Sequence, residues 1–587
     1  MKLQIRVGLG SCGIASGGEA VRAAIEAAAR EAGVEGVVKT VGCNGICHRE
    51  PMVEVINGTG TSVYGNLNAE TAGAVAREHL SPRSPLTRAW RLAAKRVDTA
   101  ANRFDSAPYV GKQTRIVLEN CGEIDPLNID DYLARDGYRA LRACRETMTP
   151  AAVIDAILDS GLRGRGGAGF PTGKKWELGR KQPGETKFVI CNGDEGDPGA
   201  FMDRAVLESD PHRVLEGLAI AAYAVGAKEG FLYIRAEYPM AVRHVRAAIA
   251  AATERGLLGG LRLEVREGAG AFVCGEETAL IQSLEGGRGM PKLRPPYPVE
   301  RGFRGCPTII NNVETLACVP WILRRGAAAF AALGTATSKG TKVFALAGKI
   351  VRGGLIEVPM GITIRQVVEE IGGGIKDGRT FKAVQLGGPS GGCIPASLAD
   401  TPVDYDALAR TGAIMGSGGM VVLDDRTCMV DIARFFLRFT QAESCGKCTF
   451  CRIGTKRMLE ILERLCEGRG QKGDLEKLEE LATFVSRGSL CGLGQTAPNP
   501  VLTTLRYFRE EYEAHLNERR CPAGRCTALI RYAINDNCIG CTLCAQACPT
   551  GAIAYAPYER HAIEESLCTR CDMCRQACQD DAVEVLS

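Results

Sequence analysis

At 587 residues the chain is too long for one hydrophobic core, and its length corresponds to roughly four domains. With 45% hydrophobic and 24% charged residues it has an ordinary globular composition, and a net charge of +4 without a long basic run excludes a nucleic-acid patch. No stretch reaches the roughly 18 uninterrupted apolar residues of a membrane helix, and the alternating N-terminus lacks the apolar core of a secretory signal, so the expectation is a cytoplasmic protein with no membrane span of its own.

In chain order, residues 2–7 read as a strand and 18–32 as an Ala-rich helix. "VEGVVKTVG" reads as another strand, "MVEVINGTGTSVYG" as a strand pair turning at Asn57-Gly58, and 68–80 as a helix. Residues 1–80 therefore form a small α/β domain, followed by a basic, polar linker over 81–112. Strands alternate with helices over 113–338, an α/β domain. Residues 339–428 are β-rich with many Gly turns, 429–518 are mostly helical, 519–530 form a second linker, and 531–587 are short and cysteine-dominated.

The chain holds 26 cysteines, and in a long chain without a signal sequence these point to metal ligation rather than disulfides. The most specific signal is a doubled C-x2-C-x2-C: Cys538, Cys541, Cys544 and Cys548, then Cys568, Cys571, Cys574 and Cys578. This is the two-cluster ferredoxin run, in which the fourth cysteine ligates the other cluster. One [4Fe–4S] cluster is expected on Cys538, Cys541, Cys544 and Cys578, the other on Cys568, Cys571, Cys574 and Cys548. Two zinc knuckles fit the doubled spacing poorly. Gln579 stands where a proline usually follows the last cysteine.

A further C-x2-C-x2-C at Cys445, Cys448 and Cys451 needs a fourth ligand, and Cys491 in "GSLCGLGQ" is the candidate for a third [4Fe–4S]; a three-cysteine zinc site is the alternative. Cys521 and Cys526 lie near His515, and with Cys466 they make a tetrahedral Zn²⁺ site or else a turn with buried thiols. Cys12, Cys43 and Cys47 are arranged similarly to thioredoxin-like [2Fe–2S] domains. The first cysteine of that pattern falls at Val7, so either Ser11 or Ser16 replaces it or the domain is purely structural. Cys121, Cys144, Cys191, Cys274, Cys306, Cys318, Cys393 and Cys428 are scattered singly and read as small buried hydrophobes.

"GLRGRGGAGFPTGKKW" contains G-x-G-x-x-G at Gly164, Gly166 and Gly169, with Gly167 between. A Rossmann turn must follow a strand, whereas "TPAAVIDAILDSGL" before this loop has helical spacing behind a Thr149-Pro150 cap. A Walker A loop fails as well, because Ala168 and Lys175 stand where glycine and Ser/Thr are required. The glycines still allow backbone N–H groups to approach a phosphate, with Arg165, Lys174 or Lys175 to neutralise it. Downstream, Asn192, Asp194, Glu195, Asp197, Glu276, Glu277, Asn311 and Asn312 offer carboxylates for ribose hydroxyls and amides for a flavin edge.

These segments, in order with "CNGDEGDPG", "CGEETAL", "INNVETL" and "ESCGKCTFCR", resemble the NADH-binding flavoprotein subunit of respiratory complex I. With the terminal domains included, the chain resembles the beta subunits of NAD-linked, electron-bifurcating [FeFe]-hydrogenases and related anaerobic oxidoreductases. The resemblance implies a multidomain α/β protein: a thioredoxin-like domain, a modified Rossmann-like FMN and NADH domain, a β-grasp domain, a helical [4Fe–4S] domain and a C-terminal ferredoxin domain. It implies that Gly164, Gly166, Lys175, Asn192, Asp194, Gly275, Glu276, Asn311 and Asn312 serve FMN. Phe170, Glu195, Asp197, Glu277 and Tyr297 would serve NADH, with Glu195 and Asp197 as the catalytic pair and Phe170 and Tyr297 stacking on adenine. Three residues depart from the family: Asp197 replaces a glutamate, Phe272 a tyrosine and Leu178 a phenylalanine. The implied reaction is hydride transfer between NAD(H) and FMN, then one-electron transfer through the clusters. The implied partners are soluble ferredoxin, a small thioredoxin-like [2Fe–2S] subunit and a catalytic subunit. A hydrogenase is the first expectation for the last; a benzoyl-CoA reductase, a formate dehydrogenase or another ferredoxin-linked complex is the alternative, and a flavin-free electron-transfer scaffold is the rival class.

Overall fold

The computed structural model describes residues 3–34, 36–58, 60–80 and 99–586, so the first part of the expected linker, 81–98, lies outside the described residues. The chain divides into two compact units. The first comprises 1–378, 384–388 and 396–422; the second comprises 379–383, 389–395 and 423–587.

The first unit opens with strands β1 (Gln4–Gly8), β2 (Val38–Val41), β3 (Val53–Asn57) and β4 (Gly60–Tyr64), in sheet order β2-β1-β3-β4. β1 runs parallel to β2 and antiparallel to β3, and β3–β4 is the hairpin read from Asn57-Gly58. Helices Gly18–Glu31 and Ala69–His79 pack together, and their buried alanines and valines join Ile5, Val7 and Val55 in one core.

Next come β5 (Phe188–Gly193), β6 (Glu229–Arg235), β7 (Arg262–Gly268) and β8 (Thr308–Asn312), in order β7-β6-β5-β8, all parallel. β5 reads "FVICNG", a nearly continuous apolar run, as expected for a parallel strand covered on both faces. Helix Pro211–Val225 is buried on all but one residue, so the apolar run in its second half belongs to the core and not to a membrane span. Among the described residues no helix is long and apolar enough to cross a membrane. The chain leaves β5 toward β6 on one side, while β8 returns on the other. The carboxyl ends of β5 and β8 therefore flank a topological switch point, where open α/β sheets bind ligands.

A further sheet has the order β10-β9-β13-β11-β12, formed by β9 (Thr341–Gly348), β10 (Gly354–Pro359), β11 (Phe381–Leu386), β12 (Gly392–Pro395) and β13 (Gly419–Asp424). The second unit continues with helices Met429–Ala442, Thr455–Cys466, Asp474–Gly488 and Asn499–Tyr507 around a Leu- and Val-rich core. It ends in the antiparallel pair β14 (Arg531–Ile534) and β15 (Val583–Leu586).

Candidate functional site

The glycine loop lies between helix Pro150–Asp159 and helix Thr172–Lys181, so it follows a helix and opens another. Gly164 N–H donates to Phe170 O at 2.9 Å, and Tyr405 Oη donates to Gly164 O at 2.8 Å, which closes and anchors the loop. Gly169 has φ +63°, and a Cβ there would lie 2.7 Å from the Tyr405 ring, so only glycine fits. A Cβ on Gly166 would press on Asn312 Cβ at 3.1 Å, which places the loop against the carboxyl end of β8. The N–H groups of Gly166 and Gly167 meet no acceptor among the described residues. Free amides ahead of a helix N-terminus suit an anion.

Arg165 departs from its expected role. Its guanidinium is fully buried and donates to Arg163 O at 3.1 Å and Lys339 O at 2.6 Å, so it holds the loop from behind and does not face a phosphate. The nearby cation is Lys175, whose Nζ donates to Ile310 O at 3.1 Å and lies 3.7 Å from Glu277. Asn192, at the end of β5, donates to Gly275 O at 2.9 Å and accepts from Asp194 N–H. Trp176 Nε1 donates to Asn311 Oδ1, and Asn312 caps helix Val313–Arg325 through Thr315 N–H. Glu276 is occupied as the N-cap of helix Glu277–Leu284, accepting from Thr278 and Ala279 N–H. Phe170 and Tyr297 are 46% and 49% exposed, unusual for rings this large and available for stacking.

The acids behind the loop form a network that the sequence did not reveal. The buried Glu195 carboxylate accepts Asp203 and Arg204 N–H at 3.1 Å each, at the start of helix Met202–Ser209. Burial pushes its pKa up to about 7, and Asp197 follows to about 6 for the same reason, opposed by Ser417 Oγ–H at 2.5 Å. Asp203, which accepts from Asn312 Nδ2 and lies near Glu195 and Glu314, is raised well above the usual carboxylate range, first by burial. Lys342 Nζ offsets the cluster through Glu314 at 2.5 Å.

Four cysteine groups lie elsewhere. Two small cavities occupy the C-terminal segment. Cys538, Cys541, Cys544 and Cys578 line the first; Cys548, Cys568, Cys571 and Cys574 line the second. The structure thus brings together the crossed sets read from the spacing, around spaces with mostly apolar walls. Ala552 N–H meets Cys548 Sγ and Ala582 N–H meets Cys578 Sγ, each at 3.3 Å, so the two halves repeat each other. Cys451 is buried, and its thiol is raised to about 11, first by burial and then, among other causes, by Cys448, Cys491 and Cys445 around it. A Cβ on Gly494 would lie 3.0 Å from Cys451 Cβ, which fixes the Cys491 segment against the C-x2-C-x2-C turn.

The third group corrects the expected zinc set. Cys428, His515, Cys521 and Cys526 converge, with donor atoms all within 4.8 Å of one another and every residue buried. Cys428 Sγ is 3.4 Å from His515 Nε2 and 3.7 Å from Cys526 Sγ, and His515 Nε2 is 3.3 Å from Cys526 Sγ. A tetrahedral zinc with Zn–S of about 2.3 Å has sulfur–sulfur edges of about 3.8 Å, so the dimensions fit one ion and no cluster. His515 Nδ1 is held by Glu511 O at 2.7 Å, which turns Nε2 inward. Cys466 touches Cys526 but stands outside the four. Cys428 is a ligand candidate and not the isolated hydrophobe expected; it caps helix Met429–Ala442, 87 residues before His515.

In the fourth group, Cys12 and Cys47 interact and Cys43 Sγ lies 3.9 Å from Cys47 Sγ. Val7 is buried in the core and takes no part. Serine ligation also finds no support: Ser11 Oγ–H is committed to Glu208 Oε1 at 2.6 Å and Ser16 is exposed. Two buried carboxylates lie near Cys12: Glu50, raised to about 8 by burial and by Cys12, and Glu208. Arg204, in the helix whose start binds Glu195, reaches Cys12 Sγ at 4.0 Å.

Three known families match segments of the chain: the Nuo51 FMN-binding domain over 157–321, the NADH-ubiquinone oxidoreductase-F iron–sulfur binding region over 431–515, and the 4Fe-4S dicluster domain over 537–582. The NADP-reducing hydrogenase HndC polypeptide of Solidesulfovibrio fructosivorans is 55% identical over 459 residues, 77% of this chain and 93% of that protein. The second F-type polypeptide of NADH-quinone oxidoreductase in Rhizobium meliloti (strain 1021) is 46% identical over 415 residues, 69% of this chain and 99% of the relative. Among solved structures, NAD⁺-reducing [NiFe]-hydrogenase in the H2-reduced state aligns with a TM-score of 0.63 at 33% identity, over 88% of this chain and 84% of that one. The loop, the switch point and the cysteine groups therefore sit in a chain that belongs to the family of NADH-binding FMN and iron–sulfur subunits of complex I and of pyridine-nucleotide-linked hydrogenases.

Proposed function

We propose that the chain exchanges hydride with NAD(H) at FMN and passes the electrons singly to iron–sulfur clusters. The observation that carries this reading is the pair of unpartnered amides at Gly166 and Gly167, set against the carboxyl end of β8. FMN, when bound, supplies the exchange between two-electron and one-electron chemistry that clusters cannot perform. The loop amides and Lys175 hold its phosphate, and Asn192 and Gly275 line the approach. Phe170 and Tyr297 stack on the nucleotide, while Glu195 and Asp197 orient it and keep bulk water out.

NAD(H) fits better than NADP(H), although the 55% identical relative is named for NADP. Glu277 favours a ribose hydroxyl over a 2′-phosphate bearing roughly two more negative charges. Three [4Fe–4S] clusters occupy Cys445/Cys448/Cys451/Cys491 and the two C-terminal cavities. Zn²⁺ occupies Cys428/His515/Cys521/Cys526, and a [2Fe–2S] cluster occupies Cys12, Cys43 and Cys47. The relatives named as hydrogenases and as a hydrogenase subunit support a hetero-oligomer with a hydrogenase-type catalytic subunit; a cytoplasmic location and a small [2Fe–2S] partner subunit belong to the same reading. The ferredoxin-like end supports exchange with soluble ferredoxin and, with NAD(H) as the second partner, electron bifurcation. The test is direct: the purified protein releases yellow FMN on denaturation and reduces an artificial dye with NADH. An iron-replete protein that releases no flavin and lacks that activity overturns the reading in favour of a flavin-free electron carrier.

A further inference from the structure

The two C-terminal cavities repeat each other, and one histidine breaks the repeat. Ile534 pairs with Val583 in β14–β15, and the bridge Ile553–Ile563 repeats that pairing in the other half. Two residues before Ile534 stands Tyr532, and two before Ile563 stands His561, so these are counterparts. Tyr532 lines the second cavity, and its hydroxyl donates to Asp572 Oδ1 at 2.7 Å. His561 lines the first cavity, is 4% exposed, and sets Nδ1 at 3.6 Å from Cys538 Sγ. Its Nε2 is buried without a hydrogen-bond partner among the described residues. Each cavity carries one aspartate on its wall, Asp580 or Asp572, so carboxylate count does not distinguish them.

A thiolate bound to iron only accepts hydrogen bonds, so with the cluster in place Nδ1 carries the proton and the contact is N–H···S. Such bonds stabilise the extra negative charge of the reduced cluster, more so in a dry cavity. We propose that His561 raises the reduction potential of the cluster held by Cys538, Cys541, Cys544 and Cys578 above that of its twin, so that an electron entering this segment settles there. His561 acts through Cys538 as a positioning residue. The inference rests on the two-cluster assignment under Proposed function.

The experiment is a potentiometric titration of the full-length, iron-loaded protein followed by EPR, with Cys541→Ser identifying the signal of the first cluster. In His561→Phe that signal is expected to shift to lower potential while iron content and the twin's midpoint stay unchanged. His561→Asn, which retains an N–H near the Nδ1 position, is expected to recover part of the shift. An unmoved midpoint in iron-replete His561→Phe overturns the proposal. Pulsed EPR of the unsubstituted protein carrying nitrogen-15 histidine gives a second readout: a weak nitrogen coupling to the first cluster is expected, and its absence overturns the proposal without any variant. If the unsubstituted protein shows no C-terminal cluster signals at all, the cluster assignment itself falls, and the proposal falls with it.

Discussion

The C-terminal cluster cavities and the buried Cys/His group are built on opposite plans. Each cavity takes three of its four cysteines from one short run, and the run alone predicts the set. The Cys/His group closes between Cys428 and Cys526, 98 residues apart, and its first member has no motif around it. A cluster is large and needs donors spread around a cavity, so short spacers suffice to hold three corners. A single tetrahedral ion needs donors within a few ångströms of each other, and here the hydrophobic core of the second unit supplies that convergence.

The largest expected effect tests the distant plan. Cys428→Ala should lose the ion and lower the unfolding midpoint by about 10 °C, since structural zinc adds directly to folding energy. Cys466→Ala should retain the ion. Metal analysis with calorimetry checks both, and the opposite pattern would restore the set expected from sequence.

For the local plan, Cys448→Ser should lower iron from about fourteen atoms per chain, twelve from the three [4Fe–4S] clusters and two from the N-terminal [2Fe–2S], by about four and stop transfer to the C-terminal clusters, while NADH still bleaches the flavin. Unchanged transfer in the folded variant would show that this cluster is not the exit.

The nucleotide region is also assembled from distant segments, and its buried acids make it pH-dependent. Glu195 is raised from its ordinary 4.5 to about 7, so the folded state holds its proton more tightly than the unfolded one. Its contribution to stability is complete below pH 4.5 and is lost as pH rises through 7. In nucleotide-free protein, Glu195 should account for a decline of roughly 3 kcal/mol across that window in denaturant titrations, and Glu195→Gln should remove that share while leaving the decline due to Asp197 and Asp203.

Smaller still, Glu277→Gln should narrow the preference for NADH over NADPH by about tenfold in kcat/KM, equivalent to about 1.4 kcal/mol. A preference that is absent from the start would refute the charge argument. At the N-terminus, Ser11→Ala combined with Ser16→Ala should leave iron content and absorption unchanged, because neither hydroxyl is offered to the cysteines. Loss of the spectrum would reinstate serine as the fourth ligand.

By itself the sequence determined the crossed ferredoxin pattern, the C-x2-C-x2-C turn with Cys491, and the glycine loop as something other than a Rossmann or Walker turn. These depend on spacing and local conformation, which short stretches of chain encode. It also carried the hairpin at Asn57-Gly58 and the parallel character of β5, because turn chemistry and a continuous apolar run are local properties. Only the tertiary structure placed Cys428 with His515, turned Arg165 inward onto carbonyls, spent Glu276 on a helix cap and Ser11 on Glu208, and gathered Glu195, Asp203 and Glu314 behind the loop. Those outcomes depend on which distant groups burial brings within a few ångströms, and no local period of the sequence records that distance.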